Sequence, residues 1–384
     1  MRIVLLSTVA AALVALVPGA ALSNGCPAPC SGQVSSSSAD RLLFVQPTGV
    51  PGPVLAYDTR SGSRRFALPR GISSSDGRLH VAATSGRVGT VVWRYALASG
   101  ALQTTWVLRG RWELAAVSPT GVWTALARRS PTRTSVRIVG RSGRVAHELE
   151  LAGDFEVETI SRDGKRLFLI EHLRGQAARY RVRLFDVSRS RLASRPLRGK
   201  GEPSVMAGLA WSGVGSPDGR WLLTLYLNTA RNLAFVHALD LDRSLPSCIF
   251  LPSRTSVGAL KRYSLTLSPD GRRLFATNPA LGVVAEIDLE RRSVVRTARF
   301  AAGAAPSRVS LPGTVSRSGR TLYFSGGRDL WAYDAAYGVV RGPYRTDGRI
   351  IGFGFGASDR RVHALRADGT LLSFDAATGR RLTA

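Results

Sequence analysis

Ser216-Pro217-Asp218-Gly219-Arg220-Trp221-Leu222-Leu223 returns 52 residues later as Ser268-Pro269-Asp270-Gly271-Arg272-Arg273-Leu274-Phe275. Each copy reads as a tight turn running into a strand. Proline presets φ, aspartate accepts backbone N–H groups further on, and glycine takes the position with φ > 0. The same turn recurs at Ser74-Ser75-Asp76-Gly77, Ser118-Pro119-Thr120-Gly121, Ser161-Arg162-Asp163-Gly164 and Ser316-Arg317-Ser318-Gly319. Degenerate copies stand at Ser38-Ala39-Asp40-Arg41 and Ser358-Asp359-Arg360-Arg361. The residues that follow alternate as strands do, as in Arg166-Leu167-Phe168-Leu169-Ile170 and Thr321-Leu322-Tyr323-Phe324.

A second turn series runs in step with the first. It falls at Tyr57-Asp58, Tyr95-Ala96, Val139-Gly140, Phe185-Asp186, Leu239-Asp240, Ile287-Asp288, Tyr333-Asp334 and Phe374-Asp375. Gly62, Gly100, Gly338 and Gly379 lie four residues past the aspartate position, as a hairpin with a left-handed residue requires. A further apolar stretch precedes the first turn, clearest at 114–117, 155–160, 209–214, 263–267, 309–315 and 350–355. That makes four strands per unit, in units of 36 to 55 residues. The pattern predicts an all-β fold, a single β-propeller of four-stranded blades with eight repeat units. A seven-bladed ring with one unit displaced is the alternative, because the first unit lacks a clear inner strand. Blades bury both faces against neighbours. This accounts for 44% hydrophobic residues without an amphipathic helix of ten or more residues after the leader.

These phrases resemble the YVTN-type and TolB-like families of bacterial propeller repeats, which are related to WD-repeat proteins. The likeness covers residues 40–384. It implies exported or periplasmic scaffolds that hold partners, with enzymes in the minority. Val139-Gly140-Arg141-Ser142-Gly143 departs from the pattern, since no aspartate stands in that turn. Such motifs specify architecture and leave chemistry open.

Residues 1–23 read as a signal peptide. Met1-Arg2 is positive, 3–17 is apolar, Pro18-Gly19 breaks the run, and Ala21-Leu22-Ser23 offers small residues for cleavage. The apolar run has 15 residues, short of the roughly 18 or more expected of a spanning helix. Residues 24–39 form an N-terminal segment, a tether or a closing strand, and 40–384 the propeller. The expected location is secreted or cell-surface, after cleavage. Acylation at Cys26 would anchor the chain to a membrane, although Leu22 stands four residues back and so one out of register with a lipoprotein signal. Cys26, Cys30 and Cys248 allow at most one intramolecular disulfide. With Cys26 lipidated, Cys30–Cys248 becomes the natural bridge. No second Cys/His pair follows Cys26 and Cys30 at zinc spacing.

The chain carries 53 basic residues against 26 acidic ones, a net charge of +27. Only Lys165, Lys200 and Lys261 are lysines. A GC-rich genome explains arginine in place of lysine but not the shortage of acids. An exterior protein so charged attracts acidic wall polymers or anionic headgroups. The arginines are spread along the chain, and no nucleic-acid-binding motif is present, so nucleic acid is not the expected partner.

No catalytic constellation stands out, and the sequence names no cofactor. His80, His147, His172, His237 and His363 pair with none of each other at ligand spacing. His80 and His363 read as equivalent strand positions. Glu156 and Glu158 are the best binding candidates, with Glu113 ahead of the equivalent strand one unit earlier. Two residues apart on an inner strand, both acids point one way, into the central channel. Structural ion pairing to arginine is the plain alternative. Trp112, Trp211, Trp221, Trp331 and Tyr333 read as inter-blade core. The reading favours an exported, non-catalytic, monomeric propeller that binds a partner protein or an anionic cell-envelope polymer. The alternative is a propeller hydrolase or lyase with its site in the channel.

Overall fold

Eight antiparallel sheets stand in a ring, spanning 42–68, 71–109, 113–152, 155–207, 209–254, 264–299, 314–345 and 350–382 and numbered here as blades 1 to 8. The computed structural model describes residues 42–45, 53–176, 178–302, 311–356 and 358–382. Within each blade consecutive strands pair in chain order. Blade 1 shows three strands among the described residues, and blade 4 has a fifth short one, Met206–Ala207. The fold is an eight-bladed β-propeller, and the seven-bladed alternative falls. The only helix among the described residues is Val257–Leu260. The leader, Cys26, Cys30 and the segment 24–39 lie outside the described residues.

The turns explain why the sequence repeats as it does. In the first turn the serine hydroxyl donates to the aspartate, at 2.6 Å in Ser74–Asp76, Ser161–Asp163 and Ser268–Asp270. It also accepts the N–H that opens the next strand, from Leu79, Trp123, Arg166, Trp221, Arg273 and Thr321. Gly77, Gly121, Gly164, Gly219, Gly271 and Gly319 all have φ between 69° and 76°. The copy in blade 8 sits two residues earlier than the sequence suggests. Gly356 takes the serine place, its N–H bonding the Arg361 carbonyl at 2.9 Å, and Asp359 takes the left-handed place at φ 52°. His80 and His363 are therefore not equivalent. Counted from the true turn they differ by one residue, which puts them on opposite faces of their strands.

First strands of neighbouring blades pack against one another around the axis. The inner stretches expected at 155–160, 209–214, 263–267 and 350–355 appear as Phe155–Ile160, Leu209–Gly215, Ser264–Leu267 and Ile350–Phe355. Leu42–Val45 of blade 1 closes the ring against Ile350–Phe355 of blade 8. A Cβ at Gly352 would stand 2.5 Å from Val45 Cγ2, so glycine is what lets the two blades meet. Apolar side chains fill each seam, Leu223, Leu225, Val236 and Leu274 in one continuous cluster between blades 5 and 6. Trp112, Trp221, Trp331 and Tyr333 are buried as expected, while Trp211 is 37% exposed.

The two disc faces differ. One carries both turn series. On the other lie the loops that enter each inner strand. The turn face is closed at the axis: Asp76 of blade 2 donates its N–H to the Pro119 carbonyl of blade 3 at 3.1 Å. Ser75 Oγ also leaves no room for a Cβ at Gly215 of blade 5.

Candidate functional site

The polar side chains gather where blades 3, 4 and 5 adjoin. The inner strand of blade 4, Phe155–Ile160, shifts register between Val157 and Thr159, which leaves Glu158 as the extra residue of a bulge. Bulges re-aim side chains and recur beside functional sites. Here the bulge breaks the alternation that spacing alone predicts for Glu156 and Glu158.

Glu158 is fully buried and turns toward blade 5 rather than into an open channel. Its Oε1 lies 3.5 Å from Thr224 Oγ1 and 3.7 Å from His237 Nδ1. Both nitrogens of His237 and Glu158 Oε2 lack hydrogen-bond partners among the described residues. Tyr226 meets the His237 ring edge-on at 5.9 Å and stacks on Tyr180 at 5.0 Å. Burial first, and then neighbouring Tyr180 and Glu158, hold the Tyr226 phenol far above its ordinary value. Its hydroxyl stays protonated.

Glu156 sits nearer the loop face and is 8% exposed. Its Oε2 meets His172 Nε2 at 3.1 Å and Arg129 Nη1 at 3.6 Å. Arg129 also pairs with Asp154. Glu156, His172, Arg129 and Asp154 thus form a partly exposed polar network across blades 3 and 4. Glu113 heads the inner strand of blade 3, exposed, with no ion pair to this group. The structure brings Glu156 and Glu158 into one region with different partners, and it leaves Glu113 apart.

Cys248 is half-buried, and burial followed by Glu202 pushes its thiol well above the ordinary value. Glu202 Oε1 accepts the Cys248 N–H at 2.6 Å. The thiol's candidate partners Cys26 and Cys30 lie outside the described residues.

Histidines 172 and 237 were missing from the expected site. They come from other strands, His237 from another blade, and only the register places them beside the acids. An acid beside an imidazole can move a proton, and the Thr224 hydroxyl stands 3.5 Å from Glu158 Oε1. No group of three or more His, Cys, Asp or Glu among the described residues can hold a metal ion.

The fold and this cluster define an eight-bladed β-propeller with a polar seam on its loop side. Solved structures share the architecture. A dihydro-heme d1 dehydrogenase, NirN, in complex with DHE matches with TM-score 0.56 and 16% identity over 93% of this chain and 75% of that one. The Dos1 propeller matches with TM-score 0.53 and 10% identity over 89% and 90% of the two chains. A eukaryotic initiation factor matches with TM-score 0.52 and 14% identity over 94% and 88%. Their identities are low and their functions differ, so the likeness is one of fold alone. No family model and no curated protein matches the chain.

Proposed function

We propose that this chain is an exported, non-catalytic propeller that binds an anionic cell-envelope polymer or a partner protein. The repeat phrases support distant kinship with the YVTN-type and TolB-like propellers, and the apolar leader supports export.

One observation carries the reading: many of the few acids are engaged in turn hydrogen bonds or ion pairs. Asp58, Asp186, Asp240, Asp288, Asp334 and Asp375 accept backbone N–H groups in the second turn of their blades. Asp76, Asp163, Asp218 and Asp270 do so in the first. Glu148, Glu171 and Glu286 are tied to Arg137, Arg183 and Arg273. With 53 basic residues against 26 acids, the surplus charge faces solvent. A field of that sign concentrates polyanions near the surface.

The test is a titration of the purified mature protein with a polyphosphate or teichoic-type polymer over a salt series. Binding should be strong near 20 mM salt and weaken at least about tenfold by 0.2 M, as the screening length shortens. Affinity indifferent to salt removes the electrostatic account. A channel-mouth hydrolase or lyase is the second reading, favoured only by the Glu156–His172 contact of 3.1 Å toward the loop face.

A further inference from the structure

Arg94, on the third strand of blade 2 (Gly89–Ala96), is 1% exposed. Among the described residues no carboxylate pairs with it. One guanidinium nitrogen donates to the carbonyl of Gly121, in the first turn of blade 3, and Nη1 has no partner. Trp106 Nε1 and Thr120 Oγ1 are also buried and unpartnered. The three belong to one seam. The Arg94 guanidinium carbon lies 6.0 Å from the centre of the Trp106 ring, and Thr120 directly precedes Gly121. A Cβ at Gly143, in the second turn of blade 3, would stand 2.8 Å from Trp106 Cβ. Arg141 in that turn is exposed at the rim. Burial, and then Arg141, push the Arg94 guanidinium below its ordinary value.

The repeat shows what is absent. The first turn of blades 2, 4, 5 and 6 carries Asp76, Asp163, Asp218 and Asp270, but blade 3 has Thr120. At the second turn six blades carry aspartate, but blade 3 has Gly140. Blade 3 thus lacks both of its turn carboxylates at the seam where, among the described residues, an arginine is buried. A buried guanidinium without a counter-charge is strongly unfavourable. Its surroundings here are donors: a guanidinium N–H, an indole N–H, a hydroxyl and a second arginine.

We propose that the seam between blades 2 and 3 is an oxyanion site, which takes a phosphate or sulfate group in the place of the missing carboxylates. Arg94 forms the floor, Trp106 and Thr120 the walls, and Arg141 the mouth on the turn face. The guanidinium fork suits such oxyanions, and charge-assisted bonds in a dry seam are the strong kind. The site deepens the anionic-polymer reading, since the group can be free or borne on a polymer.

Thr120→Asp tests this with little risk to folding, because aspartate is what the repeat carries at that position. Melting is followed with inorganic phosphate at constant ionic strength, with chloride as the control ion. Phosphate should raise the melting temperature of the native protein. Thr120→Asp should melt higher without phosphate and bind it about tenfold to a hundredfold more weakly. Arg141→Gln should weaken binding and leave the phosphate-free melting point in place. A native protein that answers phosphate no more than chloride overturns the site, and so does a Thr120→Asp variant with an undiminished response. A polyphosphate arm separates the two ideas. Equal polyphosphate binding by native protein and Thr120→Asp, with no response to phosphate in either, sinks this site and leaves the polymer reading standing.

Discussion

One serine hydroxyl holds the first turn together in blades 2 to 7, and its burial decides how much it matters. Ser216 is fully buried, donates to Asp218 and accepts the Trp221 N–H at 2.8 Å. Ser216→Ala strands that N–H in an apolar seam and should cost about 1–2 kcal/mol. Ser318→Ala, at an exposed turn position, should stay within about 0.5 kcal/mol. Urea unfolding of the two variants checks the contrast; equal losses would mean the turn hydroxyls contribute only through exposed contacts. Residue chemistry was legible wherever it was local. Two acids two apart on an inner strand drew attention to Glu156 and Glu158, and the structure gives them different partners, His172 with Arg129 and Thr224 with His237. Their orientation was not legible, because the bulge at Glu158 leaves no residue-type signal. His237 gives no signal in the sequence for a related reason: its neighbour Glu158 belongs to a different blade.

At the scale of the element the turns were nearly transparent. Asp-x-x-x-Gly at the second turn places Gly62, Gly100, Gly338 and Gly379 at φ 70–72°, as the spacing required. The same place in blades 4, 5 and 6 is held by Ser190, Ser244 and Arg292 at φ 47–53°. These residues accept a backbone that L side chains disfavour. Ser244 and Arg292 are tied to Arg166 and Ser247 by side-chain bonds, which recovers part of the strain. Ser190 is exposed and its hydroxyl has no comparable tie. Ser190→Gly should therefore stabilise the protein by about 0.5–1 kcal/mol, the strain relieved exceeding the added chain entropy. A lower melting temperature in that variant would show that entropy wins at this turn. The misplaced turn of blade 8 has the same origin. With Gly356 at the serine place and Asp359 at the glycine place, the phrase loses both of its marker residues, and the nearby Ser358-Asp359 imitates it two positions late.

The whole molecule answers to acid through groups that the ring keeps from charging. His363 lies in the inter-strand core of blade 8, with Nδ1 against Ser373 Oγ at 3.0 Å. Burial, and then Arg361, lower its pKa from 6.5 to about 4. His80 is lowered in the same direction by burial, against a carbonyl contact to Pro69 that works the other way. A depressed imidazole pKa means that the unfolded chain takes up the proton first. Stability is then complete above about pH 6.5 and falls as the pH drops toward 4, by an amount on the order of 3 kcal/mol for His363. Below pH 4 a second loss follows. Asp375, held down by the Thr378 hydroxyl and N–H, and Asp58, held down by the Ser61 and Arg60 N–H groups, protonate in the unfolded chain before the folded one. Neutralising acids also strips counter-charge from a chain already at +27. Melting temperature should therefore decline in two stages, from pH 6.5 to 4 and again below 4. Replacing His363 with Asn should shrink the first stage, leaving the part due to His80, and leave the second in place. If the native protein melts at one temperature from pH 6.5 to 4, the imidazoles are not held neutral by the blades, and the seam around His363 admits water.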